Sequence, residues 1–469
     1  MKKLTVIVFT VLVSVMSAYA QHNLRSAYFL DGYTYKHKLN PAFGGERGYF
    51  AIPALGHLSL GVESTIPVNN IFYKSGGQLT TFLDPGISSS AVMKNLKDNN
   101  PLVFNTDISL ISFGFNVKNS YSTIDLSLKT DGRAIVPSSV FSWVKGSASN
   151  IDMSNLRCNA DARLELSYGY SQEIKGWLRV GGKVKFLAGL AKAEYIPEKL
   201  KLQQNGDSWM VESAGQGYFL LPGSQLVLEG TENRIDDITM NPFKDVLNAM
   251  LSTRSLGAAL DLGISMDLAK DYITISAALT DLGVISWNGL NYIGCPSGTH
   301  EYQNFVIDQE MTVSEQLSEF GGGLVDLAAL QVNSTDAKLI DMIGMTAHLG
   351  IELRMPFWKR LSVGLLGTAR IDGKYSWYEG RASANLALFR CLSLTANYAY
   401  STFGQNYGAA LNFHPKGINL FVGIDSFAPL LDKNSTLPKY MMATNAVFGL
   451  DIAFGKYTGR YTKKVKEAK

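Results

Sequence analysis

The stretch NADARLELSYGYSQEIKGWLRVGGKVKFLAGLAK, Asn159 to Lys192, decides how the rest of this chain is read. Apolar side chains stand at Ala160, Ala162, Leu164, Leu166, Tyr168 and Tyr170, with Asp161, Arg163, Glu165, Ser167 and Gly169 between them. A polar turn follows, Gln172-Glu173-Ile174-Lys175-Gly176. Alternation then resumes, with Leu178, Val180, Gly182, Val184, Phe186, Ala188 and Leu190 on one side and Arg179, Gly181, Lys183 and Lys185 on the other. Successive side chains of a strand point to opposite faces, so this is a hairpin with one apolar and one charged face. Each arm exceeds the average soluble strand of about five or six residues. It matches the roughly nine to eleven residues that a tilted strand needs to cross a bilayer. The apolar face suits lipid and the charged face suits a wet or salt-bridged lumen. Over this stretch alone, a long hairpin of a soluble sandwich would look the same.

The N-terminus adds weight to the membrane reading. Met1-Lys2-Lys3 precedes an apolar run from Leu4 to Ala18, and Ala18-Tyr19-Ala20 stands before Gln21. A basic start, an apolar core and a small-x-small site predict a signal peptide over residues 1–20. No later apolar run reaches the roughly eighteen residues of a membrane helix. An integral membrane protein with this sequence must therefore be a closed barrel, because only helices and closed barrels satisfy the backbone in lipid. Hydrophobic residues make up 46% of the 469 and charged residues 18%, which argues against disorder. A net charge of +3 gives no reason to expect nucleic acid.

Outward from the hairpin, the same alternation recurs. Residues 21–48 are polar and aperiodic. Strand-like alternation starts near Tyr49. A hairpin spans residues 105–136, and its first arm changes phase at Leu110, which predicts a β-bulge there. A second phase change predicts a bulge at Thr280-Asp281. Two long insertions, 193–254 and 286–344, are read as loops with short helices. The last third alternates regularly up to residue 455, and a basic tail, 456–469, is read as periplasmic. The count is about fourteen strands, with short turns at one end and longer loops at the other, as in an outer-membrane barrel. Aromatic residues gather near both strand ends: Tyr170, Trp177, Tyr272 and Trp358 by the short turns, and Trp287, Trp377, Tyr378 and Tyr400 among those by the long loops. That arrangement predicts two interfacial girdles. The fold class is therefore all-β, a transmembrane barrel spanning 49–455 in the outer membrane.

The pattern resembles FadL-type outer-membrane barrels, which carry long-chain fatty acids and other hydrophobic compounds. The resemblance rests on the strand count, the aperiodic N-terminal segment with Lys38-Leu39-Asn40-Pro41-Ala42, and the position of the two longest insertions. Pro53-Ala54-Leu55-Gly56 and Asp281-Leu282-Gly283 before Trp287 look like an uncharacterised family of FadL-like proteins. PorV-type shuttle barrels of type IX secretion are similar in layout. The resemblance implies that residues 21–48, with Asn40, Pro41 and Ala42, sit in the lumen as a hatch. It also implies that a kinked wall strand opens a lateral exit at a bulge, and that a first hydrophobic site lies in the extracellular cap.

The residues themselves suggest such a cap. Asn241 and Pro242 can start a helix that puts Phe243, Val246, Leu247 and Met250 on one face. In the next insertion Leu317, Phe320, Leu324 and Leu327 form a second stripe, broken by Gly321 to Gly323. Mutual packing and a ligand site are both compatible with two such faces. Cys158 and Cys295 fall at the long-loop end and are candidates for a disulfide, whereas Cys391 lies in a short turn. The six histidines are scattered, with no metal-ligand spacing, and there is no phosphate loop or nucleophile elbow. Neither catalysis, a cofactor nor a metal is expected. The inward charges Asp161, Arg163, Glu165, Arg179, Lys183, Lys185, Asp261, Asp267, Glu352, Arg354, Glu379 and Arg381 are of mixed sign, which predicts cross-strand pairing and not a selective ion path. The functional expectation is passive uptake of a hydrophobic, fatty-acid-like molecule. A docking barrel for a secretion-system or surface protein, or a structural or adhesive role, is the alternative. Outer-membrane lipid is the expected surround.

Overall fold

The structure, a computed structural model, describes residues 23–75, 78–206, 208–229, 233–240, 248, 252–269, 272–303, 311–427 and 441–455. The leader, the basic tail and Phe243, Val246, Leu247 and Met250 lie outside these residues.

Fourteen antiparallel wall strands close a barrel. The first, β1, has two parts, Gly48–Ala51 and Leu58–Pro67. Next come β2 (Asn99–Val117), β3 (Ser120–Pro137), β4 (Arg157–Glu173) and β5 (Leu178–Asn205). They are followed by β6 (Ser255–Leu268), β7 (Ile273–Gln303), β8 (Met345–Arg354) and β9 (Leu361–Ile371). The last five are β10 (Trp377–Phe389), β11 (Leu392–Ser401), β12 (Gly404–Phe413), β13 (Ile418–Phe427) and β14 (Met441–Phe454). Each pairs with its sequence neighbour, and β14 pairs with both parts of β1.

The two-residue period now has a direction. Leu166 and Phe186 of the opening hairpin are exposed on the outside, while Arg163, Glu165, Lys183 and Lys185 are buried inside. The outer surface repeats this with Leu256, Leu349, Leu365 and Val422. A belt of exposed aliphatic side chains around a polar interior reverses the soluble arrangement and fits a lipid surround. Of the expected girdle aromatics, Tyr170, Trp177, Trp358, Tyr378 and Tyr400 are exposed. Trp287 and Trp377 are not: both point inward and are buried. Trp287 packs with Leu187, Leu290 and Ile343, and Trp377 lies under the Arg25 guanidinium, 4.9 Å from its ring centroid.

The register shifts at Leu110, between Ser109 and Ile111 of β2. It shifts again on β7, where Thr280 and Asp281 together oppose Asp261. Asp281 takes φ +62°. The Leu110 bulge lies beside the break in β1, where Ile52 to His57 leave the ladder. Backbone bonds cross that break: Ala54 N–H to Ser109 O at 3.0 Å, Ser109 N–H to His57 O at 2.9 Å, and Leu450 N–H to Leu55 O at 2.9 Å. At the second bulge Thr280 pairs with Thr346, Gly283 with Ile343, and Asp281 N–H donates to Asp261 Oδ1 at 2.8 Å. Neither bulge opens a gap in the wall, so the lateral exit implied by the resemblance has no basis at these two places.

The long insertions also differ from expectation, being mostly strand. β5 continues to Asn205 and β7 to Gln303, and a strand at Ser208–Leu220 pairs with both extensions. Alternation does persist in Leu200 and Leu202 against Lys199, Lys201 and Gln203. Pro197 and a register shift at Glu198 interrupt it, which hides the strand from a period-two search. One helix of the insertions is described over most of its length, α1 (Val313–Ala328). Its N-cap is Thr312, whose hydroxyl accepts from Glu315 N–H in a capping box. It runs unbroken through Gly321 to Gly323. Burying its apolar stripe outweighs the roughly 1 kcal/mol that each glycine costs a helix.

Candidate functional site

Residues 23–47 lie inside the barrel. A lumen of this strand number is wide enough to leak, and this segment fills it with a short aromatic core. Leu24, Tyr28, Phe29, Tyr33, Tyr35 and Leu39 are buried together with Tyr49, Tyr121 and Phe421 of the wall. Two short turns shape it, Arg25–Ala27 and the helical turn Lys36–Leu39.

Asn40-Pro41-Ala42 rests on β5, β6 and β7. Asn40 Nδ2 donates to the carbonyls of Ile264 and Ala277, both at 3.3 Å, and its Oδ1 accepts from Ala42 N–H at 2.9 Å. The approach is close because two wall positions are glycine. A Cβ on Gly181 would stand 2.1 Å from Pro41 O, and one on Gly263 would stand 2.1 Å from Asn40 Oδ1.

Two cations of this plug enter the wall's charge network. Arg25 Nη2 is 3.0 Å from Glu63 on β1, its Nη1 3.0 Å from Glu379 on β10, and its Nε 3.5 Å from Asp425 on β13. Lys38 Nζ donates to both oxygens of Asp107 on β2, at 3.0 and 2.9 Å. His37 Nδ1 lies 3.1 Å from Lys183 Nζ, and its Nε2 lies 3.0 Å from the Tyr49 hydroxyl. The wall's own charges pair with one another, mostly across strands. Lys185 reaches Asp261 at 2.8 Å and Asp281 at 2.6 Å, Lys129 reaches Glu165 at 3.0 Å, and Arg163 reaches Asp131 at 2.7 Å. Arg381 pairs with Glu379 at 2.9 Å, and Arg179 with Glu173 at 3.2 Å. Glu352 and Asp267 accept hydroxyl bonds from Ser362 and Thr274. Arg25, Glu63, Asp107 and Asp425 were not singled out from the sequence, and Lys38 was named only within the Lys38-Leu39-Asn40-Pro41-Ala42 motif. Their signal is weak, because an aperiodic segment does not show which way its charges face.

On the extracellular side of the plug is a small cavity of about 50 Å³. Arg25, Arg133, Arg370, Asp131, Asp281 and Asp372 give it a charged lining of both signs. Above it stands an apolar cap. Leu317 and Phe320 of α1 pack with Phe82 and Phe141, from the first and second extracellular connections. Leu324 and Leu327 pack with Trp143, Leu200, Trp209 and Tyr302. The stripe on α1 is thus covered by three other connections, and its four residues are brought together as one cap. Among the described residues no group of His, Cys, Asp and Glu side chains could hold a metal ion.

Cys158, Cys295 and Cys391 are all free thiols, so the candidate disulfide is not formed. Cys158 pairs with Tyr195 on β5, while Cys295 pairs with Gly215 on the far side of the intervening strands. The Tyr195 hydroxyl, not a second sulfur, lies 3.3 Å from Cys295 Sγ.

Comparison with solved structures finds similarity to the toluene transporter TodX of Pseudomonas putida, at 11% identity and a TM-score of 0.41, covering 94% of this chain and 97% of that one. The toluene transporter TbuX of Ralstonia pickettii is similar at 9% identity and 0.41, with coverages of 89% and 92%. A Pseudomonas aeruginosa FadL homologue is similar at 11% and 0.42, with coverages of 93% and 99%. No curated protein matches the chain. The model of the family described as "Family of unknown function (DUF5723)" matches residues 41–425, most of the chain, and this protein belongs to that family.

Proposed function

We propose that this barrel is a passive outer-membrane uptake channel for a hydrophobic, fatty-acid-like molecule. In this reading the ligand is captured in the extracellular cap and admitted when the plug shifts. The observation that carries it is the apolar cap itself, with Leu317, Phe320, Leu324 and Leu327 gathered above the mouth of a polar lumen. These side chains pack on one another, so in this reading a hydrophobic molecule enters by parting that packing before it meets charge. Burying one such side chain is worth roughly 1.5–3 kcal/mol, so four or five contacts could hold an acyl chain at about micromolar affinity. The charged cavity below would favour a ligand with a polar head over a plain hydrocarbon.

The test is saturable binding of a fluorescent fatty acid to detergent-solubilised protein. Wild type should bind, and Phe320→Asp, Phe243→Asp and Leu247→Asp should bind less while keeping the folded barrel's gel mobility. Absence of saturable binding to wild type would sink the proposal.

A second reading is a docking barrel for a secreted or surface protein. It is favoured by the sheet that β5, Ser208–Leu220 and β7 raise beyond the wall. That sheet shows an outward polar face on which Lys201 lies 3.8 Å from Asp152. A stable partner in a mild-detergent pull-down that is lost on deleting 208–220 would support it over uptake.

A further inference from the structure

The short-turn end of the barrel carries a ring of cations at one level. The turns are linked in sequence by backbone bonds. Glu173 N–H donates to Asn119 O at 2.9 Å, Asp267 N–H to Trp177 O at 2.7 Å, and Arg354 N–H to Tyr272 O at 2.8 Å. Beyond these, Ala387 N–H donates to Arg360 O at 2.9 Å, His414 N–H to Cys391 O at 2.7 Å, and Ala453 N–H to Gly417 O at 3.0 Å. Each turn is therefore fixed to its neighbour, and the turns share one rim.

Five of these turns place an exposed cation on that rim: Lys118, Lys175, Lys359 with Arg360, Arg390 and Lys416. Each stands beside an exposed apolar side chain, as in Val117, Trp177, Phe357, Phe389 and Ile418. Among the described residues, two acids at the same end, Glu173 and Asp267, are engaged elsewhere. Glu173 pairs with Arg179 at 3.2 Å, and Asp267 accepts from the Thr274 hydroxyl at 2.6 Å. Two of the cations are held at the rim. Lys359 Nζ lies 4.8 Å from the Tyr272 ring centroid, and Arg360 Nη1 donates to Leu388 O at 3.1 Å.

We infer that this rim is a binding surface for the anionic headgroups of phospholipids in the adjacent leaflet. The belt of exposed aliphatic side chains fixes where acyl chains end. Aromatic and aliphatic side chains at the turns mark the interface, and long cationic side chains there reach the headgroup phosphates. Strands lie about 4.8 Å apart, so successive turns, two strands on, are roughly 10 Å or more apart around the rim. That is close to the Debye length of about 8 Å in physiological salt. Each cation therefore acts on its own neighbouring headgroup, and the ring recruits a shell of anionic lipid, not a single bound molecule.

The experiment uses the full protein in nanodiscs of mixed phosphatidylethanolamine and phosphatidylglycerol. Lipid retained after mild detergent extraction is quantified by mass spectrometry. Wild type should retain phosphatidylglycerol at about two- to fivefold its bulk share, and high salt should remove the excess. A variant with Lys118, Lys175, Lys359, Arg390 and Lys416 changed to Gln should retain the bulk ratio. Its barrel is checked by heat-modifiable gel mobility. Should that variant misfold, Lys175→Gln and Lys416→Gln singly should each lower the enrichment. Lys94→Gln with Lys97→Gln, on the opposite end, should leave it unchanged. A bulk ratio in wild type, or an unchanged ratio in the rim variants, would overturn the inference. Competition by soluble glycerol phosphate would do the same, pointing to a free-phosphate site.

Discussion

Lys38 of the plug sets its ammonium 2.9 Å from one carboxylate oxygen of Asp107 on β2 and 3.0 Å from the other. Both side chains are buried. Removing one partner of a buried pair leaves the other charge short of compensation, at a cost of about 3–5 kcal/mol. Lys38→Met should therefore loosen residues 23–47 while the wall stays intact. Amide exchange over the plug should rise, and conductance in a planar bilayer should increase. Deleting residues 22–46 should give the larger conductance. A near-zero current from the deletion would mean that something else blocks the lumen.

Gly181 and Gly263 make a specific prediction about Asn40-Pro41-Ala42. Either position changed to Val puts carbon where Pro41 O or Asn40 Oδ1 now sits. Both residues belong to strands whose ladders do not depend on their side chains. The expected outcome is a folded barrel with a displaced plug turn, read as raised conductance and faster exchange at residues 40–43. A change to Val at Gly380, which meets no atom within 4 Å, is the control and should leave both unchanged.

The cap should be separable from the wall. Leu327 is fully buried, and Leu327→Ala should cost about 2–5 kcal/mol of local stability. Limited proteolysis should cut α1 sooner in this variant, while the membrane-embedded strands keep their protection. Equal cleavage in variant and wild type would contradict the packing described here.

His300 gives the cap a pH dependence. On the extracellular extension of β7, its Nε2 lies 3.1 Å from Leu327 O, the last turn of α1. Burial holds the imidazole below its ordinary value, so the folded protein favours the neutral ring. A base with a lowered folded value contributes stability above the unfolded value of about 6.5, and this is lost as pH falls below it. Exchange in α1 should quicken between about pH 7 and pH 5, and His300→Gln should flatten that change.

Denatured protein should take up three thiol labels whether or not it has first been reduced, since no cysteine is bonded to another. Two labels lost without reduction would restore the disulfide.

The sequence by itself determined the wall. A two-residue period with apolar side chains outside is local, repeated and independent of distant contacts, so both the fold class and the bulges at Leu110 and Thr280-Asp281 were legible in it. The stripe from Leu317 to Leu327 was legible too, because a helical period is also local, whereas the capping box at Thr312 came only from the structure. Tertiary structure decided what those elements meet. Arg25 sits in an aperiodic segment, and its partners Glu63, Glu379 and Asp425 come from three distant strands that only barrel closure brings together. Trp377 looked like a girdle residue because position near a strand end does not specify a face, and the strand's phase turned it inward beneath Arg25. The strands beyond Tyr195 were hidden because a bulge and a proline break a period without breaking a ladder. The partners of α1 were likewise set by which connections cross the mouth, a long-range matter that no local pattern encodes.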